Sequence, residues 1–177
     1  MTVTAKDGLY TFGTLETVEI PSAGPGSAND SIKKAPLGVL YRHKGNMYRY
    51  ALFHRGSIAA AANKVAYWHE LDPVNSLFEV TADVSEAIDT AGANMCAGIL
   101  GCVVTDGYYT WVQVGGVADA VCVAAVTVGD KLIYGGDGAF ARIAHGANNT
   151  DVVFAIALET VDPTSYVGSV LLQNMDW

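Results

Sequence analysis

From Leu37 onward, runs of about six to ten β-prone residues recur at intervals of roughly a dozen, each closed by glycine, aspartate or asparagine. The runs NMCAGILGCVVT, ADAVCVAAV, GDKLIYGG, GAFARIAH, DVVFAIALETV and YVGSVLLQNM follow one another along the chain. Asp-Gly pairs at 106–107 and 137–138 and Gly-Gly pairs at 115–116 and 135–136 read as the turns between strands. This spacing leaves no room for a helical layer. Residues 57–66 (SIAAAANKVA) and 84–89 (VSEAID) are long enough only for short helical segments. The pattern predicts an all-β protein whose body is a compact antiparallel β-barrel or β-sandwich with at most short helices.

Two hairpins are expected within that body. LGVLYRHKGNMYRYALF, residues 37–53, carries two β-prone runs around Gly45 and Asn46. A strict two-residue turn at that pair would set Arg42 against Arg49, a like-charge pair that destabilises and that a longer loop would avoid, so the register stays open. In TDGYYTWVQVGG, residues 105–116, a tight turn at Asp106 and Gly107 requires positive φ at both. Val104 would then face Tyr109 and Cys102 would face Trp111. Trp111 opposite a small cysteine reads as a core ring, whereas Tyr108 and Tyr109, nearest the turn, are candidates for exposed aromatic contact.

The first 36 residues have a different texture. IPSAGPGSANDSIKKAP gathers Pro21, Pro25, Pro36, Gly24 and Gly26, which breaks any helix or central strand. Before it, YTFGTLETVEI alternates enough to pair as an edge strand. Residues 1–36 therefore read as an extended N-terminal arm that orders on a neighbour by strand addition, and residues 37–177 as the β-rich body. The arm's candidate contact residues are Tyr10, Phe12, Leu15, Val18, Ile20, Lys33 and Lys34.

Charge narrows the partners. Residues 1–70 hold eight Lys and Arg against five Asp and Glu, while residues 71–177 hold two against thirteen, for a net charge of −8 overall. So acidic a body cannot neutralise many phosphates, which argues against nucleic acid as a partner. The basic front, with Lys33, Lys34, Arg42, Lys44, Arg49 and Arg55, suits an acidic protein surface. Apolar stretches are broken well before the roughly 18 residues of a membrane-spanning helix, so no membrane partner is expected.

No catalytic constellation emerges. His43, His54, His69 and His145 show no HxH or HExxH spacing that would bring two imidazoles to one metal. His69 and Glu70 beside Trp68, with Asp72 just after, read as a polar loop following a strand. Cys96, Cys102 and Cys122 form an odd set without CxxC, each in an apolar run, and read as buried structural thiols in a chain made in a reducing cytoplasm. The expectation is a non-enzyme with no catalytic, metal or cofactor site.

The order of YRHKGNMYRYALF, then VTADVSEAIDTAGANMCAGILGCVVTDGYYTWVQVGG, then GDKLIYGGDGAFARIA, then VFAIALETV and VGSVLL resembles the small capsid decoration (cement or head-stabilising) proteins of tailed bacteriophages. The resemblance covers approximately Leu37 to Leu172, and Thr110 stands where such sequences often carry glycine before the tryptophan. It implies a β-rich virion protein on the outer surface of an icosahedral head, often a homotrimer, that bridges major capsid proteins. Its place of synthesis would be the host bacterial cytoplasm. The alternative is a tail-fibre or spike module binding a host glycan through Tyr108 and Tyr109; a hydrolase using Cys96 or Cys102 fits least well.

Overall fold

In MYRYALFH the side chains of Arg49, Ala51 and Phe53 point to one side of the strand, and Tyr48 and Tyr50 to the other. All five are buried, so this strand is covered on both faces. The structure, a computed structural model, describes residues 2–3, 18–72, 77–90, 93–143, 152–161 and 166–173. The described strands are β1 (Thr2–Val3), β2 (Val18–Glu19), β3 (Leu40–His43), β4 (Asn46–His54), β5 (Val65–Asp72), β6 (Leu77–Thr81) and β7 (Asp89–Thr90). They continue with β8 (Ala93–Asn94), β9 (Cys96–Leu100), β10 (Tyr109–Val121), β11 (Lys131–Gly136), β12 (Ala139–Arg142), β13 (Ala155–Ala157) and β14 (Val167–Leu172). Two single-turn 3₁₀ segments, Pro25–Ser27 and Val84–Glu86, complete the described elements.

Hydrogen bonding closes five strands into a barrel in the order β10-β9-β5-β6-β4 and back to β10. Four of the five seams are antiparallel; the closing pair of β4 with β6 is parallel, matching Leu52 to Glu79, Phe53 to Val80 and His54 to Thr81. The interior is filled by Ala51, Phe53, Ala66, Trp68, Val80, Ala97, Leu100 and Val112. Arg49 also lies inside, with its guanidinium 5.8 Å from the Trp68 ring centre and 5.9 Å from that of Phe78. The second half of β10 belongs to another sheet, β12-β11-β13-β14-β10, which curls until Phe140 bridges Cys122. Leu132, Phe140, Phe154, Val170 and Leu172 fill its concave side against Val65, Tyr67 and Ile99 of the barrel wall. The expectation of an all-β body, barrel or sandwich, thus holds in the form of a closed barrel, with one parallel seam among the described, otherwise antiparallel strand pairs.

Several local expectations are corrected. The first hairpin turns at Lys44 (φ 49) and Gly45 (φ 85), one residue earlier than the Gly-Asn pair. Arg42 then faces Met47 and Arg49 faces Leu40, so the charges separate without a longer loop. Asp106 and Gly107 do form a turn, closed by Tyr108 N–H donating to the Thr105 carbonyl at 3.0 Å, but only Gly107 has positive φ. β9 ends at Leu100, which faces Val112, and Trp111 faces Tyr50 rather than Cys102. The reason is that residues 101–108 are claimed by other partners. A Cβ on Gly101 would lie 2.3 Å from the Gly26 carbonyl oxygen, Asn29 Oδ1 accepts from Thr105 N–H at 3.0 Å, and Asp106 Oδ1 accepts from Arg55 N–H at 3.0 Å. Trp111 is fully buried, as expected.

Gly115 and Gly116 are not a turn but a bulge within β10, where the pairing with β4 slips between Gln113 and Gly115. Gly135 and Gly136 end β11, and the turn itself is Asp137–Gly138. Residues 57–66 form no helix; they turn, with Asn63 at φ 68, and enter β5 at Val65. His69, Glu70 and Asp72 lie on β5, not in a loop.

Residues 20–36, the second half of the segment expected as an arm, run over this chain's own barrel. Ala28 and Ala35 are buried against Tyr48, Tyr50 and Trp111, with Ile20 packed at the margin. Asp30 exchanges backbone hydrogen bonds with Tyr109 at 2.9 Å in both directions, and the Ala28 carbonyl accepts from Thr110 Oγ1 at 2.9 Å. Aromatic surface on β4 and β10 supplies the apolar contact that the segment lacks in itself.

Candidate functional site

Among the described residues, three surfaces bear on function. The first is the N-terminal segment. Tyr10, Phe12 and Leu15 lie outside the described residues; Val18 is in β2, whose backbone pairs with β1. Lys33 is exposed, but Lys34 is engaged: its Nζ lies 3.0 Å from Asp30 Oδ1, and its backbone N–H donates to Tyr50 Oη at 3.1 Å. Hydrogen bonding and charge from Asp30 raise the Lys34 pKa above the usual lysine value. Burial pushes Tyr50 up to about 12, so its hydroxyl stays neutral and can serve both neighbours. Tyr108 packs against the barrel interior, and the Tyr109 ring stacks on Tyr50 with centres 6.0 Å apart. Both are half-buried.

The second surface is the convex face of the curled sheet. Side chains that alternate away from its core include the cross-strand pairs Val117 with Leu171 and Val121 with Val167. Val117 is 50% exposed and Leu171 40%, and Leu158 is exposed on the loop after β13.

The third surface is a polar cluster on the outer wall of the barrel. His54 on β4, His69 on β5 and Glu79 on β6 each offer a ligand atom within 4.8 Å of the others. His69 Nδ1 lies 2.8 Å from Glu79 Oε2, His69 Nε2 lies 3.9 Å from Glu86 Oε2, and the two imidazoles stack with centres 4.2 Å apart. Glu86 is held in place by Asp83, which caps its 3₁₀ turn: Oδ1 accepts from Ser85 N–H at 3.0 Å and Ser85 Oγ at 2.6 Å. Asp83 Oδ2 accepts from Ser57 N–H at 2.8 Å and from Ser57 Oγ. Hydrogen bonds from Ser57 and then Ser85 hold this carboxyl far below the usual carboxylate range. Spacing along the sequence does not reveal the cluster, because β4 and β5 are not neighbours and β6 lies between them.

The thiols are far from nucleophilic. Burial pushes Cys96 up to about 12 and Cys122 up to about 11, and raises Cys102, whose Sγ donates to the Ala28 carbonyl at 3.2 Å.

No protein-family model matches this chain, and no curated protein matches it. Among solved structures it is similar to the head fiber gp8.5 N base in bacteriophage phi29, with 15% sequence identity and a TM-score of 0.49 over 72% of this chain and 96% of that one. A likeness at that distance is similarity alone.

Proposed function

We propose that this chain is a structural virion protein of a tailed bacteriophage that seats on the outer surface of the head and bridges major capsid proteins, acting as a homo-oligomer with a trimer favoured. The observation that carries this reading is the convex face of the curled sheet, where the apolar pairs Val117–Leu171 and Val121–Val167 flank the hydrogen-bonded Asp119–Ser169 pair on an otherwise well-filled scaffold. The sequence resemblance to head decoration proteins, centred on GYYTWVQVGG, points the same way. The convex face packs against other copies of the chain. The exposed cations Lys33, Arg42, Lys44 and Arg55 meet an acidic capsid surface. Weak contacts repeated by symmetry then combine into firm seating, and binding only the assembled lattice stabilises it by mass action. Nothing in this function requires catalysis.

The test is to mix the purified protein with heads lacking it and count bound copies, alongside sedimentation of the free protein. Wild type is expected to associate and to decorate heads, and Val117→Asp with Leu171→Asp is expected to sediment as a monomer and to lose at least tenfold in head occupancy. Undecorated heads with wild-type protein, or glycan binding by the isolated chain, would overturn the reading.

A further inference from the structure

We infer that His54, His69 and Glu79 form a binding site for one divalent transition-metal ion of the zinc class, which ties together three barrel strands. Strand alternation places all three on the same wall. Ala51 and Phe53 on β4, Trp68 on β5 and Val80 on β6 fill the barrel, which turns their neighbours His54, His69 and Glu79 outward. β6 lies between β5 and β4, so the three side chains sit on adjacent strands and converge without a loop having to fold over them.

The distances suit a metal. Ligand atoms bound at about 2.0–2.2 Å to one ion stand roughly 3–4 Å from each other. In this cluster all three candidate atoms already lie within 4.8 Å of one another, and His69 Nδ1 and Glu79 Oε2 are at 2.8 Å. The stacked rings of His54 and His69 would have to turn about their side-chain bonds so that one nitrogen of each points at the ion. Two imidazoles with one carboxylate make a nitrogen-rich donor set, suited to zinc, cobalt, nickel or copper rather than to magnesium or calcium. Each side chain is only partly exposed, which holds the donors on a wall yet leaves one side open for a water ligand.

The surroundings supply an outer partner. With Nδ1 of His69 on the metal, Nε2–H faces the Glu86 carboxylate, now 3.9 Å away. Such a carboxylate fixes the tautomer and orientation of a ligating histidine. Glu86 is positioned by the Asp83 cap, whose carboxylate also fastens the loop at Ser57, just beyond His54. The ion would brace the parallel seam of β4 and β6, which rests on three residue pairs. Its role is that of a strand clamp, independent of whether the chain sits on a phage head.

The test uses the full-length protein, stripped with chelator and titrated with Co²⁺ under visible spectroscopy, followed by Zn²⁺ displacement and calorimetry. One equivalent of Co²⁺ is expected to give ligand-field bands that Zn²⁺ abolishes. Saturating Zn²⁺ is expected to raise Tm by about 5 °C or more. His54→Asn, His69→Ala and Glu79→Gln should each weaken Zn²⁺ binding by at least about 100-fold, and Glu86→Gln by roughly 10-fold, with His43→Ala unchanged. His54→Asn, at a strand end, keeps the fold testable if His69→Ala misfolds, as checked by circular dichroism. Absence of the Co²⁺ bands in wild type, or wild-type affinity in both His54→Asn and Glu79→Gln, would overturn the site and leave a His69–Glu79 hydrogen bond beside a stacked histidine.

Discussion

The barrel and the curled sheet share one strand and solve the problem of burial differently. In the barrel every strand is hydrogen-bonded on both sides, and large rings, Trp68 and Phe53, fill the interior with Arg49 lying against them. The curled sheet is filled largely by small and medium side chains, Ala118, Ala120, Ala155, Ala157, Leu132 and Val170, with Phe140 and Phe154 as its rings. Its convex face keeps valines and a leucine in solvent. A closed barrel has no edge to offer a partner, and the curled sheet, whose β12 folds back to bridge Cys122 through Phe140, differs from it chiefly in the apolar side chains on its convex face. On the proposed reading the barrel supplies stability and the sheet contact, and β10 runs through both, with the bulge at Gly115–Gly116 between its two halves.

The most severe way to break this contrast is to empty the barrel. Trp68 is 1% exposed and meets Phe78 edge-on with ring centres 6.0 Å apart. Trp68→Ala is expected to cost about 3–5 kcal/mol, through lost burial and the cavity left behind. Denaturant unfolding followed by circular dichroism should show the curled sheet lost together with the barrel, because β10 cannot hold its second half in register once its first half is free. A curled sheet that survives barrel unfolding as a separate transition would show that the two regions stand alone.

A smaller effect is expected at Asp83, which fastens the rim of the barrel rather than its centre. Its carboxylate accepts from the backbone and hydroxyl of both Ser57 and Ser85, and the side chain is almost wholly buried. Asp83→Ala is expected to cost about 1–2 kcal/mol, since the cap and its charge-assisted hydrogen bonds are lost, while the exposed Ser57 and Ser85 can turn to water. The pH dependence has a definite sign. Because folding lowers this carboxyl's pKa, its contribution is complete above the unfolded value of about 3.9 and is lost as pH falls toward the depressed folded value. The stability gap between wild type and Asp83→Ala should therefore be constant near neutrality and narrow below about pH 4. A gap that is unchanged down to pH 2 would mean that the hydrogen bonds, not the charge, carry the effect.

What the sequence made legible followed from local rules. Alternation and turn residues were enough to anticipate an all-β chain, the burial of Trp111, and the hairpin of β11 and β12 at Asp137–Gly138. Long-range pairing was not legible. The parallel seam of β4 and β6 joins residues more than twenty apart with no local signal, and it is this seam that brings His54 beside His69. The register of β9 against β10 depends on Gly101 meeting Gly26 and on Asn29 holding Thr105, contacts that involve a segment rich in proline and glycine with no periodicity to read. Gly-Gly at 115–116 is ambiguous for a physical reason: the same freedom that makes a turn also makes a bulge, and only the partner strand decides.

The gentlest test probes the joint between the two regions. Tyr67 projects from the outer side of β5 into the curled sheet's core, and its hydroxyl donates toward the carbonyls of Gly136 at 2.6 Å and Ala139 at 3.0 Å, on either side of the β11–β12 turn. Burial holds this phenol well above the usual tyrosine range, so it remains a donor across the accessible pH scale. Tyr67→Phe keeps the ring and removes only that link, at an expected cost of about 1–2 kcal/mol and a fall in Tm of roughly 2–6 °C. Amide hydrogen exchange should quicken most at residues 134–140, while β6 and β9 keep wild-type protection. That pattern would identify the hydroxyl as the local tether that docks the hairpin on the barrel. Uniformly faster exchange in both regions would instead mean that barrel and sheet open only as one unit, and that their contrast concerns surface rather than stability.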